Sequence, residues 1–125
     1  MFPKVVYLAL AGAAGTFSRY ALSTLVQRAA GGAFPWGTLA VNVLGCFLVG
    51  LFWTLTEHRF TVSNETRTIV LIGFMGAFTT FSAFVYETGQ LFRDVGWFHA
   101  AGNMVLQNLI GVAALFTGVC AGRVL

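Results

Sequence analysis

Four long apolar stretches, each parted from the next by only a few polar residues, leave this chain one practical solvent for most of its surface. Each stretch is long enough to cross roughly 30 Å of hydrocarbon as a helix. With 58% hydrophobic and only 9% charged residues in 125, the chain cannot hide that surface in one soluble core of its own size. The expected fold is therefore an all-α membrane protein in a single domain, residues 1–125, with spans at about 4–26, 38–56, 68–92 and 98–122. The polar breaks are 27–37, 57–67 and 93–97, and most of the seven basic and four acidic residues fall in or beside them.

Several function classes drop out on the same reading. The first span holds Arg19, lacks a small-residue cleavage pattern and is followed by three more spans, so it is read as part of the mature protein. Cys46 and Cys120 lie within spans, where small thiols pack like other small side chains; no disulfide is expected. His58 and His99 sit at span edges without companions at metal-ligand spacing. There is no Ser/His/Asp set, Walker loop or paired carboxylate, so no catalytic residue and no enzyme is expected, nor any nucleic-acid partner.

Orientation in the bilayer is nearly undecided. Placing the N-terminus in the cytoplasm puts Lys4, Arg59, Arg67 and Arg123 inside, against Arg19, Arg28 and Arg93 toward the other side. Four against three is a weak bias for a rule that reads Lys/Arg in short loops. One gene product can then insert both ways, and two oppositely inserted copies would be related by a two-fold axis in the membrane plane. Small residues spaced by four, Ala11/Gly15 and Gly118/Gly122, fit close helix contacts, although glycine is also simply common in membrane helices.

The most informative segment runs from Gly73 through Gly76, Thr79, Thr80, Phe81, Ser82 and Phe84 in the middle of the third span. Two glycines tolerate unusual backbone angles, and the hydroxyls of Thr79, Thr80 and Ser82 compete with the helical ladder. A break is expected there. Non-helical backbone at membrane depth survives only where protein buries it or water lines it, so a break marks either a site or a hydroxyl-satisfied kink. Carbonyls freed by a break are hard oxygen ligands suited to a small cation such as sodium.

Phe81 and Phe84, three apart, share a face once the helix resumes. Their ring edges carry positive potential that suits an anion, while packing against protein or lipid is the other reading. Thr38 and Asn42 lie one turn apart on the second span, where the Asn42 amide either meets an anion or bonds a neighbouring helix. Asn103 and Gln107 share a face of the fourth span with Asn108 beside it, extending a polar track. Arg19 and Glu87 are the most deeply set charges. Arg19 is placed to concentrate anions at a vestibule; Glu87 either hydrogen-bonds a pore wall or pairs with a basic residue near the interface.

In order along the chain, Gly12-x-x-Gly15-x-x-x-Arg19, Gly37-Thr38-x-x-x-Asn42, Gly73-x-x-Gly76-x-x-Thr79-Thr80-Phe81-Ser82-x-Phe84-x-x-Glu87 and Asn108-x-x-Gly111 resemble the Fluc fluoride channels, also called CrcB proteins. The resemblance covers essentially the whole chain. It implies an antiparallel, dual-topology homodimer in the cell (inner) membrane with two fluoride pores, through which fluoride leaves the cytoplasm passively and its toxicity falls. It also implies a structural sodium ion at the dimer interface on the backbone carbonyls of Gly76 and Thr79. It implies further that Phe81 and Phe84 supply the ring edges of the pores, that Asn42 donates to fluoride, and that Thr80 and Ser82 lie in the polar lining; Thr38, Asn108, Glu87 and Arg19 complete the expected ion pathway. Two positions depart from the family pattern: Ala83 stands where the family usually has threonine, and Val112 where it usually has a hydroxyl. The helix-four amides are candidates to replace the missing hydroxyl.

The main rival is a proton-coupled small multidrug-type exporter, which also uses four short helices in dimers but needs a membrane carboxylate. Glu87 is the only candidate, and it lies near a span end among amides and hydroxyls. A non-conducting subunit of a larger complex leaves the broken helix unexplained.

Overall fold

The computed structural model describes residues 2–125, and every regular element among them is helical. Helices α1 (Phe2–Ala30), α2 (Trp36–His58) and α6 (Trp97–Val124) are each continuous. The third span, Asn64–Asp94, is built from pieces: α3 (Asn64–Thr68), a π-helical stretch (Ile69–Met75), the short α4 (Gly76–Phe78), an interruption at Thr79 and Thr80, and α5 (Phe81–Asp94). All four spans are long and apolar enough to cross a membrane. Even α2, the shortest at 23 residues, reaches roughly 35 Å at about 1.5 Å per residue.

The helices outrun their expected limits for local reasons. The connector expected at 27–37 shrinks to 31–35, because Gly31 and Gly32 take φ of 66° and 75° and end α1 where a side chain would be strained. Gln27, now in the last turn of α1, organises this loop. Its Nε2 donates to Gly32 O at 3.2 Å and Phe34 O at 3.1 Å, and its Oε1 accepts from Gly37 N–H at 3.1 Å. At the other end of α2, Ser63 caps α3 by accepting from Thr66 N–H at 3.1 Å, so the third span begins at Asn64, ahead of the expected residue 68. Arg67, expected in the connector, is helical and donates to Thr56 O at 2.7 Å, tying the third span to the end of α2.

Short connections make consecutive spans alternate in direction, so the first runs parallel to the third and the second to the fourth. Contacts rise together along each pair. On α2 and α6, Asn42 meets Gln107, a Cβ at Gly111 would lie 3.6 Å from Cys46 Sγ, and Gly122 faces Thr54. Between them, a Cβ at Gly50 would collide with Leu115 O, and one at Gly118 with Phe47 O. On α1 and the third span, a Cβ at Gly15 would strike Phe74 O, and one at Gly73 would lie 2.9 Å from Ala11 Cβ. In the two small-residue pairs expected to bring helices together, Gly15 and Gly118 admit a neighbouring backbone, while Ala11 packs on Gly73 and Gly122 on the Thr54 side chain.

The interior is inverted relative to a soluble domain. Thr38, Thr54, Thr56, Asn103 and Gln107 are buried beside Val41, Met75, Phe78, Phe84 and Leu91, while Phe17, Leu25, Ile72, Leu109 and Phe116 face outward. Lipid tails are as apolar as those side chains, so packing and hydrogen bonds rather than hydrophobic burial hold the spans together. Both cysteines are free thiols; Cys46 is half-buried against α6, whereas Cys120 is exposed on the outer face rather than packed inside.

Close approach makes a specific prediction. Gly118→Ala drives a methyl into the Phe47 carbonyl and should lower stability by about 1–3 kcal/mol or prevent assembly. Gly89→Ala, which meets nothing within 4 Å, should be neutral or slightly stabilising. Thermal unfolding of the two variants in detergent checks this, and equal losses would show that the α2–α6 contact is not what the glycine serves.

Candidate ion pathway along the interrupted span

The break falls at two β-branched residues. Thr79 (φ −87°, ψ 153°) and Thr80 (φ −152°, ψ 121°) are extended. Gly76, expected to supply unusual angles, is helical at φ −63°, ψ −31°, and Gly73 lies within the π-helical stretch. The glycine reading of the break is therefore corrected: Gly73 admits α1, and the threonines carry the extended backbone that β-branched side chains favour.

Side chains replace the lost ladder bonds. Thr80 N–H, which an uninterrupted helix would direct to Gly76 O, donates to Asn42 Oδ1 at 3.0 Å. Ala83 N–H, whose helical partner would be Thr79 O, donates to Thr80 Oγ1 at 3.3 Å and caps α5. Thr80 Oγ1 also lies 3.1 Å from Ser82 Oγ. Asn42 closes the pair from its other side, its Nδ2 donating to Thr80 O at 3.4 Å and to Gln107 Oε1 at 3.1 Å. Of the two readings left open for Asn42, the helix-bridging one describes its bonds.

Three cavities adjoin along this seam and share wall residues. The outermost, about 510 Å³, lies between the ends of α1 and α5 and the start of α2, and is lined by Arg28, Thr38, Glu87 and Asp94 among others. Thr38 and Glu87 also line a second cavity of about 290 Å³, together with Arg19 and Thr80. Thr80 in turn opens onto a third, about 280 Å³, walled by Asn42, Phe81, Phe84, Gln107 and Asn108. Every residue of the expected pathway except Ser82 lines one of these three, and Ser82 touches Thr80 beside them.

Thr38 Oγ1 donates to Glu87 Oε1 at 2.7 Å, so Glu87 is hydrogen-bonded to α2. The ion pairs among the described residues, Glu57–His58 and Arg93–Asp94, leave Glu87 and Arg19 without a charged partner. The Phe81 and Phe84 rings lie 5.5 Å apart, tilted by 54°; Phe84 is 7% exposed, while Phe81 projects from the chain at 75%. No group of three or more His, Cys, Asp or Glu side chains fit to hold a metal occurs among the described residues.

On α6 the inward residues are Asn103, fully buried, and Gln107, whereas Asn108 is exposed and folds its amide back onto Met104 O at 2.7 Å. Asn103 Nδ2 donates to Thr88 Oγ1 at 2.8 Å, and that hydroxyl donates to Phe84 O at 2.7 Å. Gln107 lines the same cavity as Asn108, whereas Asn103 lines none of the three. The sequence carries a signal for them: residues 103, 107, 111, 118 and 122 form one stripe whose glycines mark the α2-facing side.

Comparison with known proteins agrees along the whole chain. The profile of the family described as CrcB-like protein, Camphor Resistance (CrcB), matches residues 6–119. A protein of Desulforapulum autotrophicum named fluoride-specific ion channel FluC is 53% identical over 122 residues, 98% of each chain. Proteins of the same name from Nitrosococcus oceani and Solidesulfovibrio magneticus are 51% and 49% identical over 125 residues, covering all of this chain. With four spans able to cross a bilayer and this end-to-end match, the chain is a multi-pass membrane protein of the CrcB family.

Proposed function

We propose that this chain is a fluoride-conducting channel, and not an enzyme, that lets fluoride leave the cytoplasm passively. The observation that carries the reading is the full-length likeness, at about half identity, to proteins named fluoride-specific ion channels. The geometry supports it. Cavities that share wall residues run from a vestibule lined by Arg28, past one lined by Arg19, to the phenylalanine pair. Ring edges, hydroxyls and neutral amides bind an anion weakly and at several points, which lets it enter and also leave. The pathway residues are Arg19, Thr38, Asn42, Thr80, Phe81, Ser82, Phe84, Glu87 and Asn108.

The working unit in this proposal is an antiparallel homodimer with two pores. Support comes from the four-to-three split of basic residues and from Phe81, which is 75% exposed in the single chain and needs a second wall to form a passage. A central sodium ion fits the interruption, because Thr80 N–H and Ala83 N–H donate to side chains and so release the Gly76 and Thr79 carbonyls. Bound there, sodium would supply positive charge that holds the two broken spans together.

Phe81→Ile and Phe84→Ile should each cut fluoride efflux from liposomes by an order of magnitude or more while the dimer still purifies, since isoleucine keeps apolar bulk and removes the ring edge. Efflux at wild-type rates from both variants would reduce the rings to packing. Adding three lysines to the C-terminus should fix one orientation and abolish activity until an oppositely biased copy is co-expressed; full activity from a uniformly oriented population would overturn the antiparallel dimer. Replacing sodium by a bulky organic cation at constant ionic strength should weaken the dimer or its conduction. Indifference to that exchange would remove the cation from the proposal.

A further inference from the structure

We infer that the side chain presenting an amide N–H to the ion at the phenylalanine pair is Gln107, and that Asn42 is a positioning residue that aims it. The inference rests on the channel reading above and adds the amide donor beside its phenylalanine pair. It comes from the direction each hydrogen bond must run. Thr80 N–H is a backbone donor and cannot accept, so the Asn42 atom 3.0 Å from it must be the oxygen. Asn42 Nδ2 is thereby turned to the other side, where it meets Gln107 at 3.1 Å and can only be met by an acceptor. Gln107 must therefore offer Oε1 to Asn42, which leaves its Nε2 pointing away.

That Nε2 is buried and has no partner, on a side chain only 8% exposed. Gln107 is one of the residues around the 280 Å³ cavity that Phe81 and Phe84 also line. A buried amide with both hydrogens unpaired is costly unless something in the cavity accepts from it. Asn103, one turn earlier, supplies a built-in contrast. Its Nδ2 is committed to Thr88, whose own hydroxyl proton goes to Phe84 O, so its buried Oδ1 is held as an unpaired acceptor. The α6 face thus offers a donor at 107 and an acceptor at 103, with polarity at both set by bonds to the backbone of the broken span.

The alternative role for Gln107 is a helix bridge alone, its amide hydrogens served by water or by Asn103. Fluoride efflux from liposomes holding the purified dimer separates the two. Gln107→Met keeps length and apolar bulk and removes the donor, and should slow efflux on the order of tenfold to a hundredfold. Gln107→Glu keeps an oxygen for Asn42 and donates only when protonated. Its efflux should rise as pH falls through the range of a buried carboxyl, while the wild type, measured in parallel, does not follow that profile. The titratable and charged groups facing this region are Cys46 on α2, Glu87 on α5, and Arg19 and Tyr20 on α1, and all four are common to both proteins.

Asn42→Asp still accepts from Thr80 N–H but cannot donate to Gln107. It should turn the Gln107 amide around and slow efflux as Gln107→Met does. Wild-type efflux from Gln107→Met overturns the inference while leaving the channel reading intact. Should that variant fail to assemble, a pH-independent, wild-type rate from Gln107→Glu overturns it instead. Absence of fluoride efflux from the wild-type protein removes both the channel reading and the inference drawn on it.

Discussion

The reciprocal bond between Asn42 and the backbone of Thr80 is the contact on which the rest of this architecture depends. In hydrocarbon no water waits to accept or donate, so a span may lose its helical ladder only where protein makes good the loss. Asn42 offers an acceptor to Thr80 N–H and a donor to Thr80 O, which is what an opened peptide group requires. Thr80 then commits its own hydroxyl to capping α5. The interruption is therefore complete on the side facing α2 and leaves oxygen atoms uncommitted on the other.

Such a contact needs its two helices at fixed height, and the glycines provide that. A shift of α6 along α2 would drive the Phe47 or Leu115 carbonyl against a neighbouring backbone, because those helices meet without side chains between them at Gly50 and Gly118. The same stripe on α6 ends in Gln107 and Asn103, so the packing that sets register also sets which amides point inward. On the other flank, Gly15 and Gly73 let α1 lie against the π-helical stretch. An extra residue per turn there rotates the C-terminal half of the span relative to the first half, and π-helical bulges recur at functional sites for that reason.

The same division between local and distant partners decides which features were legible in the sequence. The four spans and the segment holding the break can be read from apolar length, short connectors and the run of glycines and hydroxyls in the third span. The residues that break the helix cannot. Gly73 and Gly76 read locally as the weak point, yet both stay helical, and the room at Gly73 is taken by Ala11 of α1. Thr79 and Thr80 become extended because a partner 38 residues earlier accepts the freed N–H, and no local window contains that partner. Helix ends reach past their expected limits for a simpler reason: Ser63 and Gln27 form their capping bonds within polar stretches that read as connectors.

The difference between Asn108 and Gln107 shows how finely such a wall is set. Both are amides near the middle of one helix, and in sequence Asn108 has the better claim by resemblance. Asn108 nonetheless returns its amide to the carbonyl of Met104, as an exposed polar group does when its own helix is the nearest partner. Gln107 is denied that option, because α2 covers it and Asn42 takes its oxygen. A neutral donor held open in this way costs far less than a buried lysine or arginine would, and it releases an anion far more readily. The same reasoning accounts for Glu87: hydrogen-bonded by Thr38 at the vestibule edge, it stays clear of the inner cavity, where a negative charge would oppose an anion arriving at the rings.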